Sequence, residues 1–203
     1  MRKNKISKNW INKQRRDIYV RQSKVEGYRS RAVYKLQEID KKFKILKNGI
    51  SLLDLGAAPG SWSQYVARNF KNVKILSIDL NEMEQIKNIH QIKGDFTDEI
   101  QQKKIMEYFG KKIHVVISDM AVNTTGNKNL DSLVTGELSL KALSFSSKIL
   151  EINGIFLSKI FMGSTFNEIV ATAKKKFKEV NVFKPLASRK DSKENFIICK
   201  KIK

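Results

Sequence analysis

The chain has 203 residues, with 40 Lys and Arg against 20 Asp and Glu, a formal net charge of +20 and a sequence pI near 10.0. The length suits one domain with a full core, and the single cysteine, Cys199, excludes an internal disulfide or a thiolate zinc cluster. No apolar run approaches the ~20 residues of a membrane span, and no His/Cys/Asp cluster has metal-ligand spacing, so neither membrane nor metal is expected; the positive field points to a polyanion, with nucleic acid leading, although a lysine-rich compositional bias would raise the charge too.

Residues 1–28 read as a basic N-terminal extension, with residues 29–203 as one further domain. In the extension Lys8, Arg15 and Arg16 alternate with Trp10, Tyr19 and Tyr28, a pattern suited to phosphate contact and base stacking, or equally to a solvated basic helix whose tyrosines face a core. Its shortage of acids admits an organelle transit peptide, but lysine and asparagine stand where arginine and serine are typical, and a cytoplasmic setting is the first expectation. From Arg29 to Phe43, Val33, Leu36, Ile39 and Phe43 recur at helical spacing, so Arg29, Arg31 and Lys35 are expected on one helix.

Five β-rich runs follow: Ile50–Leu55, Val73–Ile78, Ile89–Ile92, Ile113–Ser118 and Ile155–Ile160. Helical patterns lie around Trp62–Phe70, Asp98–Phe109, Gly136–Leu150 and Thr165–Phe177. This alternation predicts an α/β fold with a mostly parallel sheet and helices on both faces. The last two runs, "VNVFKP" and "NFIICKKI", leave no room for a crossover helix and predict an antiparallel hairpin at one end of the sheet.

In such a sheet the ligand crevice opens at the carboxyl ends of the strands, and "SLLDLGAAPGSWSQYV" reads as the first strand and its turn. Gly56 and Gly60 admit close backbone approach and Ala57 and Ala58 keep side chains short, but there is neither a Gly-Lys-Ser/Thr phosphate loop nor a G-x-G-x-x-G pattern. Asp54 at the entrance repels a pyrophosphate and suits an ammonium or sulfonium group, both of which S-adenosylmethionine carries. Asp79 ends the second strand where a carboxylate takes ribose hydroxyls, and Asp95 follows the third where one can accept from an adenine amino group. Singly each acid is as well explained as a strand end or helix cap; in series they favour a nucleoside cofactor. Asp119 ends the fourth strand, and Lys159 interrupts an apolar run, a costly position unless it is paired, although an edge-strand lysine reaching solvent explains it equally well. His90 and His114 read as structural.

The segments "GYRSRAVYKLQEID", "LLDLGAAPGSWSQYV", "SIDL", "GDF", "VVISDMAVN", "LSKIFMG" and "SRKDSKENFI", in this order from about Trp10 to Ile198, resemble the FtsJ/RrmJ (RlmE) family of ribosomal RNA 2′-O-ribose methyltransferases. The resemblance implies a Rossmann-like methyltransferase fold with a seven-stranded sheet. It implies S-adenosylmethionine held by Asp54, Gly56, Ala57, Pro59, Gly60, Ser61, Trp62, Asp79, Leu80, Asp95, Phe96 and Asp119, and a catalytic set of Lys35, Asp119, Lys159 and Glu194. Lys8, Arg15, Arg16, Arg29 and Arg31 then contact RNA. Two positions depart from the family: Ser61 replaces a usual glycine and is expected to cap the following helix, and Val122 replaces a usual proline and loosens the backbone after Asp119.

The activity implied is methylation of a uridine ribose in the A loop of large-subunit ribosomal RNA, within the assembled subunit, by a monomer. Lys159 would act as general base, with burial and the nearby Lys35 favouring its neutral amine, while Asp119 orients it and Glu194 holds the lysines and ribose. Two alternatives stay open: a 2′-O-methyltransferase for transfer RNA or an mRNA cap, and an inactive RNA-binding ribosome-assembly factor.

Overall fold

Five consecutive buried residues make β1 (Ser51–Leu55) a central strand, covered on both faces. The computed structural model describes residues 17–121, 128–189 and 191–203. In chain order its elements are α1 (Ile18–Val25), α2 (Val33–Phe43), β1, α3 (Ser61–Asn69), β2 (Lys74–Asp79), β3 (Ile89–Lys93), α4 (Glu99–Phe109), β4 (Ile113–Ser118), α5 (Lys128–Ile149), β5 (Leu150–Phe161), α6 (Phe166–Lys176), β6 (Phe177–Phe183) and β7 (Glu194–Ile202). The strands form one sheet of order β3-β2-β1-β4-β5-β7-β6. Pairing is parallel from β3 through β5, while β7 runs antiparallel to both β5 and β6. The expected α/β class, parallel sheet and C-terminal hairpin are therefore present. The order reverses between β1 and β4, which opens a crevice at their carboxyl ends.

Alternate residues of each strand feed two core layers. Leu52, Ile75, Val115, Ile117, Leu157, Phe196 and Ile198 pack beneath α2 and α3 with Leu36, Ile39, Trp62 and Val66. On the other face Leu53, Leu55, Leu76, Val116, Phe156 and Ile197 pack against Ile105 and Phe109 of α4, Leu143 and Phe145 of α5 and Ile169 of α6. Each fully buried side chain of this size stabilises the fold by about 1.5–3 kcal/mol.

Several boundaries differ from the sequence reading. A helix, α1, lies inside the expected extension: Asp17 caps it by accepting from the Tyr19 N–H, and Tyr19 and Tyr28 pack around Tyr34 at centroid distances of 5.3 and 6.5 Å. Both tyrosines are thus engaged in packing against α2. Arg29 and Arg31 precede α2, whose first residue is Val33, so they do not share a helix with Lys35 as expected; the chain turns through residues 28–32 before the helix begins. Helix α5 starts at Lys128 rather than Gly136, which lies inside the helix, where an isolated glycine weakens the pattern without ending it. Strand β5 begins at Leu150, pairing with Ile113 before an irregularity brings Ile155 opposite Val115.

Candidate active site

The turn after β1 is fixed by backbone bonds, the Gly56 and Ala57 N–H groups donating to Ile78 O of β2 at 2.9 and 3.2 Å. Gly56 has φ +68°, and a Cβ there would stand 2.1 Å from Met120 Cγ, so only glycine leaves the cleft floor open. The Ala58–Pro59 peptide is cis. Gly60, φ +99°, takes the N-cap position of α3. Ser61 is therefore the first helical residue and does not cap as expected; its hydroxyl lies 2.8 Å from that of Ser30. Trp62 is buried, and its indole N–H donates to Ala32 O at 2.8 Å.

A cleft of about 460 Å³ opens at the strand ends, lined by Gly56, Ala58, Asp79, Leu80, Asp95, Phe96, Asp119 and the unanticipated Asn81, Gly94, Met120, Ala121 and Leu138. Asp79 Oδ2 accepts from the Ala58 N–H at 2.9 Å and Oδ1 from the Asn81 N–H at 2.7 Å, which fixes the carboxylate at the cleft wall. Asp95 is set by the Thr97 N–H, 2.8 Å from Oδ1. A narrow recess bordered by Asp54, Gly56, Ala57, Ala58, Pro59, Ser61, Trp62, Asp119 and also Ser30 and Ala32 adjoins this cleft. Beyond it a third recess, about 250 Å³, is bordered by Ser30, Arg31, Ala32, Lys35, Arg189, Ser192 and Glu194. Shared lining residues join the three into one path.

Asp54 is 1% exposed and accepts from Ser63 Oγ at 2.7 Å, with Ser77 Oγ 2.7 Å further along. Burial pushes its carboxyl up to about 7, and the nearby Asp119 and Asp79 add to the rise against the Ser63 bond. A buried acid with acids for neighbours is what a cationic ligand would ionise. That feature, the glycine-floored cleft and the fixed Asp79 fit the methionine and ribose parts of S-adenosylmethionine.

Lys35, Asp119, Lys159 and Glu194 come from α2, the end of β4, β5 and the start of β7, and they converge. Lys35 Nζ is 2.9 Å from Glu194 Oε2 and 3.6 Å from Asp119 Oδ2. Lys159, 7% exposed within its apolar strand, is paired: Nζ lies 3.2 Å from Asp119 Oδ1 and donates to Asp119 O at 2.5 Å. Asp119 Oδ1 is buried without an aligned donor. Burial raises the pKa of Asp119, but Lys159 and Lys35 outweigh it and hold the carboxyl below its usual value. Burial likewise opposes charge on Lys35, and Asp119 with Glu194 more than offsets it, so the ammonium is held. Glu194 Oε1 accepts from Ser188 Oγ at 2.8 Å, a contact without a distinctive sequence signal.

Arg29 donates to Pro59 O at 3.0 Å and Glu84 O at 2.8 Å, bracing the cofactor-side loops. Arg31 is held by Asp17 and Ala187 O. Lys8, Arg15, Arg16 and Val122 lie outside the described residues. His114 Nδ1 accepts from the Ser51 N–H at 3.0 Å and His90 stacks on Tyr108 at 4.6 Å, both structural contacts. Among the described residues no group of three or more His, Cys, Asp and Glu is placed to hold a metal, and no helix is long and apolar enough to cross a membrane.

Residues 28–202 match the family described as FtsJ-like methyltransferase. The chain is 65% identical over 200 residues to the ribosomal RNA large subunit methyltransferase E of Pelagibacter ubique, covering 98% of each chain. It resembles the crystal structure of a candidate ribosomal RNA methyltransferase from Plasmodium falciparum with a TM-score of 0.77 and 35% identity, over 86% of this chain and 98% of that one. Human methyltransferase-like protein 13, solved with SAH, shares the fold at a TM-score of 0.56 and 16% identity, over 74% of this chain and 71% of that one.

Proposed function

The chain belongs to the FtsJ-like methyltransferase family, and from this and its cleft we propose that it uses S-adenosylmethionine to methylate ribose 2′-hydroxyls of large-subunit ribosomal RNA. The observation that carries this reading is the convergence of Lys35, Asp119, Lys159 and Glu194 at the inner end of a cleft lined by Asp79 and Asp95. We assign the target to a uridine in the A loop, in the assembled subunit, as the family resemblance implies; the enzyme would act as a cytoplasmic monomer.

When bound, the cofactor supplies a methyl group already activated by its sulfonium. Asp54 would meet the cationic methionine end, Asp79 the ribose and Asp95 the adenine amino group, with Leu80 and Phe96 flanking the ring. Lys35 stays charged and, with Glu194, fixes the mouth of the site. Lys159 has one carboxylate partner against two for Lys35, and we assign it the proton of the attacking hydroxyl. Asp119, which is paired with Lys159 and lines the cleft, would orient that lysine and the attacking hydroxyl before transfer.

The test supplies labelled S-adenosylmethionine with undermethylated large subunits, stripped ribosomal RNA and transfer RNA. Label in large-subunit RNA supports the proposal. Label confined to transfer RNA would favour the other 2′-O-methyltransferase reading, and cofactor binding without label in any RNA would favour an inactive assembly factor.

A further inference from the structure

The four catalytic candidates carry two positive and two negative charges, so they leave no excess for a polyanion. The adjoining recess is different. Arg31 and Arg189 both turn to a single carboxylate oxygen, Asp17 Oδ2, Arg31 in direct contact and Arg189 Nε at 3.7 Å. Asp17 Oδ1 is meanwhile occupied by the Tyr19 N–H at the cap of α1. Two guanidinium groups against one carboxylate leave one positive charge, at a recess about 250 Å³ in volume that Lys35 and Glu194 also border.

The arginines are held in place rather than loose. Ala187 O accepts from Arg31. The loop between β6 and β7 is tied to α2 by Glu38, whose carboxylate oxygens accept from the Leu186 and Ala187 N–H groups at 2.6 and 2.8 Å. The Ser192 N–H closes back on Arg189 O at 3.0 Å. Arg189 is thereby presented into the recess with its side chain 30% exposed, against 15% for Arg31.

We propose that Arg189 and Arg31, braced by Asp17, form an anion subsite that seats a backbone phosphate of the RNA strand next to the ribose being methylated. This rests on the function proposed above and adds to it the residue pair that sets the strand's register. A phosphodiester carries one negative charge, matching the one left uncompensated, and guanidinium forks bind phosphate oxygens bidentately. Burial and the neighbouring Arg189 act against charge on Arg31 and outweigh the support of Glu194, an imbalance that an incoming anion relieves. Ser192 adds a hydroxyl at the rim. Asp17 touches no substrate here; it is a positioning residue that ties the start of α1 to both arginines, while Tyr19 of α1 stacks beneath Arg31 at 5.4 Å.

The experiment measures binding of a fluorescent single-stranded oligoribonucleotide across a salt series, and methyl transfer to large-subunit RNA, for the full chain and for Arg189→Ala, Arg189→Lys, Asp17→Asn, Asp17→Glu and Lys104→Ala. Arg189→Ala is expected to weaken RNA binding about tenfold. It should also flatten the slope of log K against log salt by about 0.7–1, one phosphate contact. Arg189→Lys should restore the slope but only part of the affinity. Asp17→Asn should raise KM for RNA more than it lowers kcat, with partial rescue by Asp17→Glu, whereas a merely structural loss would lower melting temperature and kcat together. Lys104→Ala, on the exposed side of α4, controls for net charge and should match the parent slope. An Arg189→Ala slope and affinity equal to those of the parent overturn the subsite. If the parent binds RNA with an Arg189-dependent slope yet methylates none, the subsite stands and the proposed activity fails.

Discussion

Replacing Asp54 by asparagine isolates the most strained charge in the cleft. The carboxyl is buried and pushed up to about 7 from an ordinary value of 3.8, so between those limits the folded state holds a proton that the unfolded chain has lost. Stability contributed by this group therefore falls as pH rises, and the loss is complete above about pH 7. From pH 5 to pH 7, at up to ~1.36 kcal/mol per pH unit, it amounts to roughly 2–3 kcal/mol. For a chain of this size that corresponds to a fall of roughly 4–12 °C in melting temperature. A carboxamide at this position cannot titrate, so the melting temperature of Asp54→Asn should hold that much better across the same interval, whatever its absolute value. Thermal melts of ligand-free parent and variant at pH 5, 6, 7 and 8 give the comparison directly. Saturating S-adenosylmethionine should shrink the difference, because a cation beside Asp54 favours its ionised form. Parallel melting curves within about 2 °C, well below that shift, would instead show that the folded protein already carries Asp54 as a carboxylate at pH 5.

Lys159→Ala should abolish methyl transfer while S-adenosylmethionine affinity, measured by calorimetry, stays within a few-fold; near-normal turnover would remove Lys159 from the chemistry. Gly56→Ala places a methyl 2.1 Å from Met120 Cγ at φ +68°, so cofactor affinity should drop at least tenfold and stability by about 1 kcal/mol, read by titration and urea unfolding. Phe156→Ala, at a site 1% exposed in the core beneath α5 and α6, should cost about 3–5 kcal/mol in urea unfolding with no local effect on the cleft.

The parts of this protein legible in its sequence are those where periodicity or polarity is extreme. The short apolar run of β1, bounded by Gly49 and the small-residue turn after Leu55, reads as a buried strand feeding a ligand crevice, and it is one. Lys159 stood out because a lysine in an apolar run must be paired or reach solvent from an edge strand, and its burial beside Asp119 decides for the pair. The hairpin followed from lack of space for a helix, but the insertion of β7 between β5 and β6 is a matter of tertiary pairing that no local pattern encodes. Arg29 and Arg31 illustrate the converse limit. Their place beside Lys35 suggested one shared helix, whereas both precede α2 and donate to backbone carbonyls, because a turn that must be pinned recruits the nearest long donors. Ser188 and Ser63, which hold Glu194 and Asp54, were invisible among the chain's many serines, since a hydroxyl carries no signal until its acceptor is known.

The measurement closest to the central claim is the chemical position of the transferred methyl group. Large-subunit RNA labelled by the enzyme would be hydrolysed in alkali and, separately, digested to nucleosides for mass spectrometry. Label is expected in an alkali-resistant dinucleotide and in 2′-O-methyluridine, lost in Lys159→Ala. Label in a base-methylated nucleoside, with alkali cleaving freely beside it, would contradict that claim.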